Sequence, residues 1–143
     1  MKTIICLSGK SNIGKTATIQ QVWKKIGNST KPMATASANK EILAKFTYKN
    51  HLIGIESFGD PHSKQSEWIE ILIKAECKII VCASRSYGET VEIVENYAKD
   101  YGYAIIWVSP IFTNTDIENL QYEYLKELSA DMIIQLIEKC ITL

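Results

Sequence analysis

An apolar run, Thr3-Ile4-Ile5-Cys6-Leu7, passes through Ser8 into the octet Gly9-Lys10-Ser11-Asn12-Ile13-Gly14-Lys15-Thr16. Residues 16–26 then place Ile19, Val22, Trp23 and Ile26 at helical spacing. Each part restricts what can be built. An uncharged apolar run of this length reads as a strand buried on both faces. The periodic stretch reads as a helix, over about 15–26, with its stripe turned to a sheet. The octet between them must reverse the chain tightly, which glycine permits. Strand, glycine loop and helix in succession open a β-α-β unit and commit the chain to the α/β class.

The octet fits the phosphate-binding pattern G-x-x-x-x-G-K-[ST] at every fixed position. Its parts have separate physical tasks. Gly9 and Gly14 let the loop turn, and the backbone N–H groups of Lys10, Ser11, Asn12 and Ile13 can then converge on one point. The helix that follows adds the positive end of its dipole. Lys15 is placed to reach β- and γ-phosphates as a point charge, and the Thr16 hydroxyl to ligate Mg²⁺. The ligands this pattern calls for are a nucleoside triphosphate, ATP or GTP, and Mg²⁺.

Further along, 42–48 and 52–57 are apolar runs separated by Lys49-Asn50-His51, which reads as a β-hairpin. Helical spacing covers 63–76, a strand covers 78–83, and a helix over 89–101 stops at Gly102. A strand at 103–108 ends before Ser109-Pro110. Thr115-Asp116-Ile117-Glu118 has the form of a capping box and opens a final helical stretch that Ser129–Asp131 can bend. Residues 28–40 are polar and small, the longest stretch of loop character. The pattern predicts one α/β domain over 1–143 with a five-stranded, mostly parallel sheet. Counting strands along the chain, the expected order is 2-3-1-4-5, with strand 2 antiparallel at the edge. Ligand would then sit at the carboxyl ends of the strands, over the first.

With 143 residues, 46% hydrophobic and 22% charged, the chain is long enough for a full core. Its formal net charge is zero, so no basic excess points to nucleic acid. No C-x-x-C spacing joins Cys6, Cys77, Cys82 and Cys140, which argues against zinc and for reduced core thiols in a cytoplasmic protein. The apolar run at the N-terminus is too short for a secretion signal, and no run reaches membrane-spanning length.

A phosphate loop of this kind works with an acidic residue at the end of a neighbouring strand. Glu56, closing Leu52-Ile53-Gly54-Ile55, is the candidate for Mg²⁺ beside Thr16. Asp60 is its rival, and it can instead cap the following helix with Pro61 at the first helical position. Arg85 follows the 78–83 strand, where its fork can clamp a transferring phosphoryl group. The indoles Trp23, Trp68 and Trp107 lie on apolar faces and are expected in the core.

On the octet and its strand-loop-helix setting the chain resembles the P-loop NTPase superfamily. The resemblance implies a three-layer α/β fold that binds a nucleoside triphosphate with Mg²⁺. Ser11-Asn12-Ile13-Gly14-Lys15 is similar to the S-N-x-G-K loops of bacterial GTPases, and Glu56-Ser57-Phe58-Gly59 to their D-x-x-G switch, with Glu in place of Asp. Where those GTPases read guanine with N-K-x-D, this chain has Ser109-Pro110-Ile111-Phe112. The expected activity is therefore hydrolysis of NTP or transfer of its γ-phosphate, with Lys15 and Arg85 stabilising charge. The partner would be a small-molecule phosphate acceptor or a protein. The alternative is a nucleotide-dependent switch with little turnover, and a third reading is a scaffold that binds no nucleotide.

Overall fold

A computed structural model describes residues 1–27, 30–37, 40–113, 115, 117 and 120–143. In chain order the elements are β1 (Thr3–Ser8), α1 (Lys15–Ile26), β2 (Ala34–Ala36), β3 (Glu41–Tyr48), β4 (His51–Glu56) and α2 (Gln65–Lys74). β5 (Ile79–Ser84), α3 (Glu89–Tyr101), β6 (Ala104–Val108) and α4 (Tyr122–Ile141) follow.

The strands form one mixed sheet in the order β2-β3-β4-β5-β1-β6. β4, β5, β1 and β6 are mutually parallel, and β3 runs antiparallel to both β2 and β4. Two points differ from the sequence expectation. Ala34–Ala36 is a sixth strand, so the antiparallel β3 is covered and not at the edge. β5 also lies between β1 and β4, so the order in the expected numbering is 2-3-4-1-5. The pairings fix it: β5 pairs in parallel with β1 along Thr3–Ser8 and with β4 along Ile53–Ile55, and because β1 and β5 are both buried, burial alone allows either order. β6, with Ala104 and Trp107 exposed, takes the outer position.

Side-chain alternation sends each central strand to both faces. Ile5, Leu7, Val81 and Ala83 pack against Ile19, Val22 and Ile26 of α1 and Ile133, Ile137 and Cys140 of α4. Ile4, Cys6, Ile80 and Cys82 pack on the other face against Trp68, Ile69 and Leu72 of α2 and Val94 and Ala98 of α3. All four cysteines are free and buried. Trp68 is buried as expected, whereas Trp107 is exposed because it lies on the outer strand.

The β3–β4 hairpin turns through Lys49 and Asn50, both at positive φ (48° and 66°), the backbone of a two-residue turn whose twist suits the flanking strands. That turn pairs Tyr48 with His51 and sets the register through to Leu43 with Glu56. The start of β3 is thereby carried to the carboxyl end of the parallel strands. α4 begins at Tyr122 and runs unbroken through Ser129, whose hydroxyl accepts the Ile111 N–H at 2.8 Å. Asp116 and Glu118 of the expected capping box, and Asn28 after α1, lie outside the described residues. Among the described residues, no helix is long and apolar enough to cross a membrane.

Candidate functional site

The loop after β1 is held at both ends. The Gly9 N–H donates to Ser84 O at 3.2 Å, and the Thr18 N–H to Gly14 O at 2.9 Å as α1 begins. Gly14 stands at φ 93°, a conformation open to glycine, and a Cβ on Gly9 would overlap the Ile13 side chain. α1 has no acidic residue in its first turn and two lysines, Lys24 and Lys25, in its last. Its N-terminal dipole is left for an anion to meet.

The Lys15 ammonium folds back and donates to Gly9 O at 2.5 Å and to Ser84 O at 2.8 Å. The side chain is buried, and burial pulls its pKa down, with Asp60 acting in the opposite sense and Arg85 in the same one. A cation held by two carbonyl dipoles exchanges them readily for charged oxygens, because hydrogen bonds between ionised groups are about twice as strong.

Next along α1, the Thr16 hydroxyl donates to Glu41 Oε1 at 3.1 Å. Glu41 Oε2 accepts the Ser57 hydroxyl at 2.6 Å, and Ser57 Oγ accepts the Ile42 N–H at 2.9 Å. Helix start, β3 start and β4 end are thus joined through one carboxylate. Glu41 and Ser57 were not foreseen from sequence. The signal was present in the hairpin: once Tyr48 pairs with His51, position 41 must come beside the residues just past Glu56.

Glu56 lies deeper. Its side chain is fully buried; Oε1 accepts the Ala83 N–H at 3.5 Å, and Oε2 has no hydrogen-bond partner among the described residues. Burial pushes its carboxyl well above the usual carboxylate range, Cys6 and Glu41 add to that, and the Ala83 and Phe58 N–H groups oppose it.

Asp60 does not cap α2, whose first turn is preceded by Lys64. Its carboxylate instead accepts Arg85 Nε at 2.8 Å. Gly59 beside it presses on β5, where a Cβ would stand 2.8 Å from Ala83 Cβ and 2.9 Å from Ser84 N.

A cavity of about 580 Å³ opens over these groups, lined by Ser11, Asn12, Gly14, Lys15 and Thr16 on one side and by Glu41, Ser57, Gly59 and Asp60 on the other. Of the sequence candidates, Ser11, Asn12, Gly14, Lys15, Thr16 and Asp60 meet there, whereas Gly9, Lys10 and Ile13 do not line it. Arg85 reaches its rim through Asp60, Glu56 sits behind it, and Lys10 turns outward, its Nζ 5.9 Å from the Phe112 ring centre.

The donors fit a small hard cation. Thr16 and Glu41 supply neighbouring oxygens, and magnesium takes one or two carboxylates and leaves its other positions to water and phosphate. Among the described residues no group of three or more His, Cys, Asp or Glu side chains could hold a metal alone. No protein-family model matches the chain, and comparison with curated proteins and with solved structures finds no match.

Proposed function

We propose that this protein binds a nucleoside triphosphate, ATP or GTP, with Mg²⁺ in the cavity at the head of α1, and hydrolyses it or transfers its γ-phosphate. The P-loop NTPase resemblance is carried into this reading. What supports it above all is the convergence of Lys15, Thr16 and Glu41 around the loop of Gly9 and Gly14.

In this reading the loop N–H groups and the dipole of α1 hold the phosphates. The Lys15 ammonium leaves Gly9 O and Ser84 O for β- and γ-phosphate oxygens. Thr16 and Glu41 would hold the metal, and Glu56 stands behind them, its carboxyl pushed well above the usual range by burial. Magnesium, when bound, neutralises charge between the β- and γ-phosphates. Arg85 swings from Asp60 to the transferring group, where its fork matches phosphate oxygens. Catalysis is by position and charge, as phosphoryl transfer requires. The four free, buried thiols support a cytoplasmic setting for this reading.

A second reading, a switch that signals its nucleotide state to a protein partner, is favoured by one contact. The Arg85–Asp60 pair is exposed on both sides, and it fastens the loop after β4 to the end of β5. A ligand that draws Arg85 away would free that loop.

The test is thermal unfolding with ATP, GTP, ADP and GDP, with and without Mg²⁺, on the parent and on Lys15→Ala. A ligand at about 100 times its dissociation constant stabilises by roughly 2.7 kcal/mol. An Mg²⁺-dependent shift lost in Lys15→Ala is expected. No shift with any nucleotide would overturn the reading. Steady phosphate release would then separate turnover from switching.

A further inference from the structure

We propose that the base and ribose of the nucleotide occupy a second cavity on the outer side of the phosphate loop, with the base held by stacking on Phe112 and Tyr122. The inference rests on the nucleotide reading above and adds what lies beyond the phosphates.

This cavity has a volume of about 400 Å³, within the range of small-molecule sites. It shares Asn12, Gly14 and Lys126 with the phosphate cavity, so the two are continuous across the loop. A molecule whose phosphates lie in the first must send the rest of itself outward, and this is the adjoining apolar space. Its walls carry Ile13, Ile111, Phe112, Tyr122 and Leu125. Ile111, Phe112 and Tyr122 are 41%, 44% and 54% exposed. A single exposed apolar side chain is ordinary, but a cluster of them beside a polar cleft marks a surface that a ligand covers.

The wall is held in place. The Ile111 N–H donates to Ser129 Oγ at 2.8 Å, which ties the segment before Phe112 to α4. Lys10 Nζ, 5.9 Å from the Phe112 ring centre, adds a cation beside the aromatic. Lys10 thus belongs to the base side of the loop and not to the phosphate side.

Some polar groups in this wall are engaged with their neighbours. Thr113 Oγ1 donates to Thr115 O at 2.9 Å and accepts the Thr115 N–H at 3.2 Å. Glu123 Oε1 holds Lys126 Nζ at 3.2 Å. The aromatic walls offer a face for the base to stack on, and stacking of that kind is tolerant of base identity. The ligand class is a nucleoside triphosphate with little selection between adenine and guanine.

The experiment is equilibrium binding of ATP, GTP and inorganic tripolyphosphate, each with Mg²⁺, to the parent and to Phe112→Ala. In the parent, ATP and GTP are expected to bind within a few-fold of each other, and both more tightly than tripolyphosphate. Phe112→Ala should weaken both nucleotides about ten-fold and leave tripolyphosphate unchanged. Phe112→Trp, which keeps a stacking face, should restore nucleotide binding. Equal affinity for tripolyphosphate and nucleotides in the parent would overturn the inference while sparing the phosphate site. So would an unaffected Phe112→Ala, or a preference of about a hundred-fold for one purine, the mark of edge readout. A parent that binds none of the three overturns the phosphate-site reading and this inference with it.

Discussion

Thr16 and Glu41 stand 25 residues apart in the chain, yet the Thr16 hydroxyl donates to Glu41 Oε1 at 3.1 Å. The contact exists because the hairpin returns β3 to the carboxyl end of the sheet, where α1 also begins. The Ser57 hydroxyl on the other carboxylate oxygen, at 2.6 Å, keeps the group aimed at the cavity. A fixed carboxylate beside a helix-start threonine is the part of the proposed site most open to direct attack.

Glu41→Gln keeps an acceptor oxygen for one of the two hydroxyls, turns an NH2 donor to the other, and removes the charge. Unfolding should stay within about 1 kcal/mol of the parent, as expected when a hydrogen-bonding isostere is retained. The gain in nucleotide affinity on adding Mg²⁺ should fall about ten-fold or more, the loss of one charge-assisted contact. Nucleotide titrations with and without Mg²⁺ measure this. An unchanged metal dependence would remove Glu41 from the site.

Much of this was legible in the chain, and the reason is local. Helix α1 runs over Lys15–Ile26 as its periodicity implies, with Gly14 and Gly27 marking its ends. Helix α3 stops before Gly102, which sits at φ 74°. What escaped was non-local. Ala34–Ala36 is too short and too small-chained to show a period, and becomes a strand only by pairing with β3. The place of β5 between β1 and β4 has no local mark, because β1 and β5 are equally apolar and buried and right-handed crossovers allow either order. Glu56 looked like an open strand end because nothing in its neighbours reveals that Ala83 and Phe58 close over it.

Stability should depend on pH through Glu56. Its folded pKa lies above the unfolded value near 4.5, because burial disfavours the charge and outweighs the Ala83 and Phe58 N–H groups. Below that value both states hold the proton and the group adds no slope. Above it the folded state keeps a proton the unfolded state has released, so stability falls as pH rises, until the folded pKa is passed. The slope is about 1.4 kcal/mol per pH unit for one proton. Glu56→Gln is neutral in both states and lacks this slope. Urea unfolding at pH 5 and pH 8 should show the variant gaining on the parent at the higher pH. Parallel profiles would mean that Glu56 is ionised in the fold.

Gly59→Ala tests how tightly the loop after β4 is pressed on β5. The new Cβ would lie 2.8 Å from Ala83 Cβ and 2.9 Å from Ala83 C and Ser84 N, which are largely backbone and cannot turn aside. The loop must lift, at about 1–3 kcal/mol, the usual cost of overpacking. Because Ser57 and Asp60 flank this glycine in the cavity wall, nucleotide affinity should fall together with stability. Urea unfolding and a binding titration on the same preparation would show both; parent-like stability would mean the loop yields freely.

Arg85→Ala separates a clamp from a fastener. Arg85 Nε meets Asp60 Oδ1 at 2.8 Å, with the two side chains 36% and 60% exposed. An ion pair so open to water contributes about 0–1 kcal/mol, so the variant should unfold close to the parent. If Arg85 moves to the transferring phosphoryl group, the loss appears in turnover and not in nucleotide affinity. The expected fall in kcat is about a hundred-fold or more, the scale for removing one group that stabilises transition-state charge. Arg85→Lys should restore little, because an ammonium lacks the planar fork that meets two phosphate oxygens in one fixed geometry. Single-turnover phosphate release at saturating nucleotide measures the effect free of binding. Undiminished release from Arg85→Ala would leave Arg85 with one task, holding Asp60 and its loop against β5.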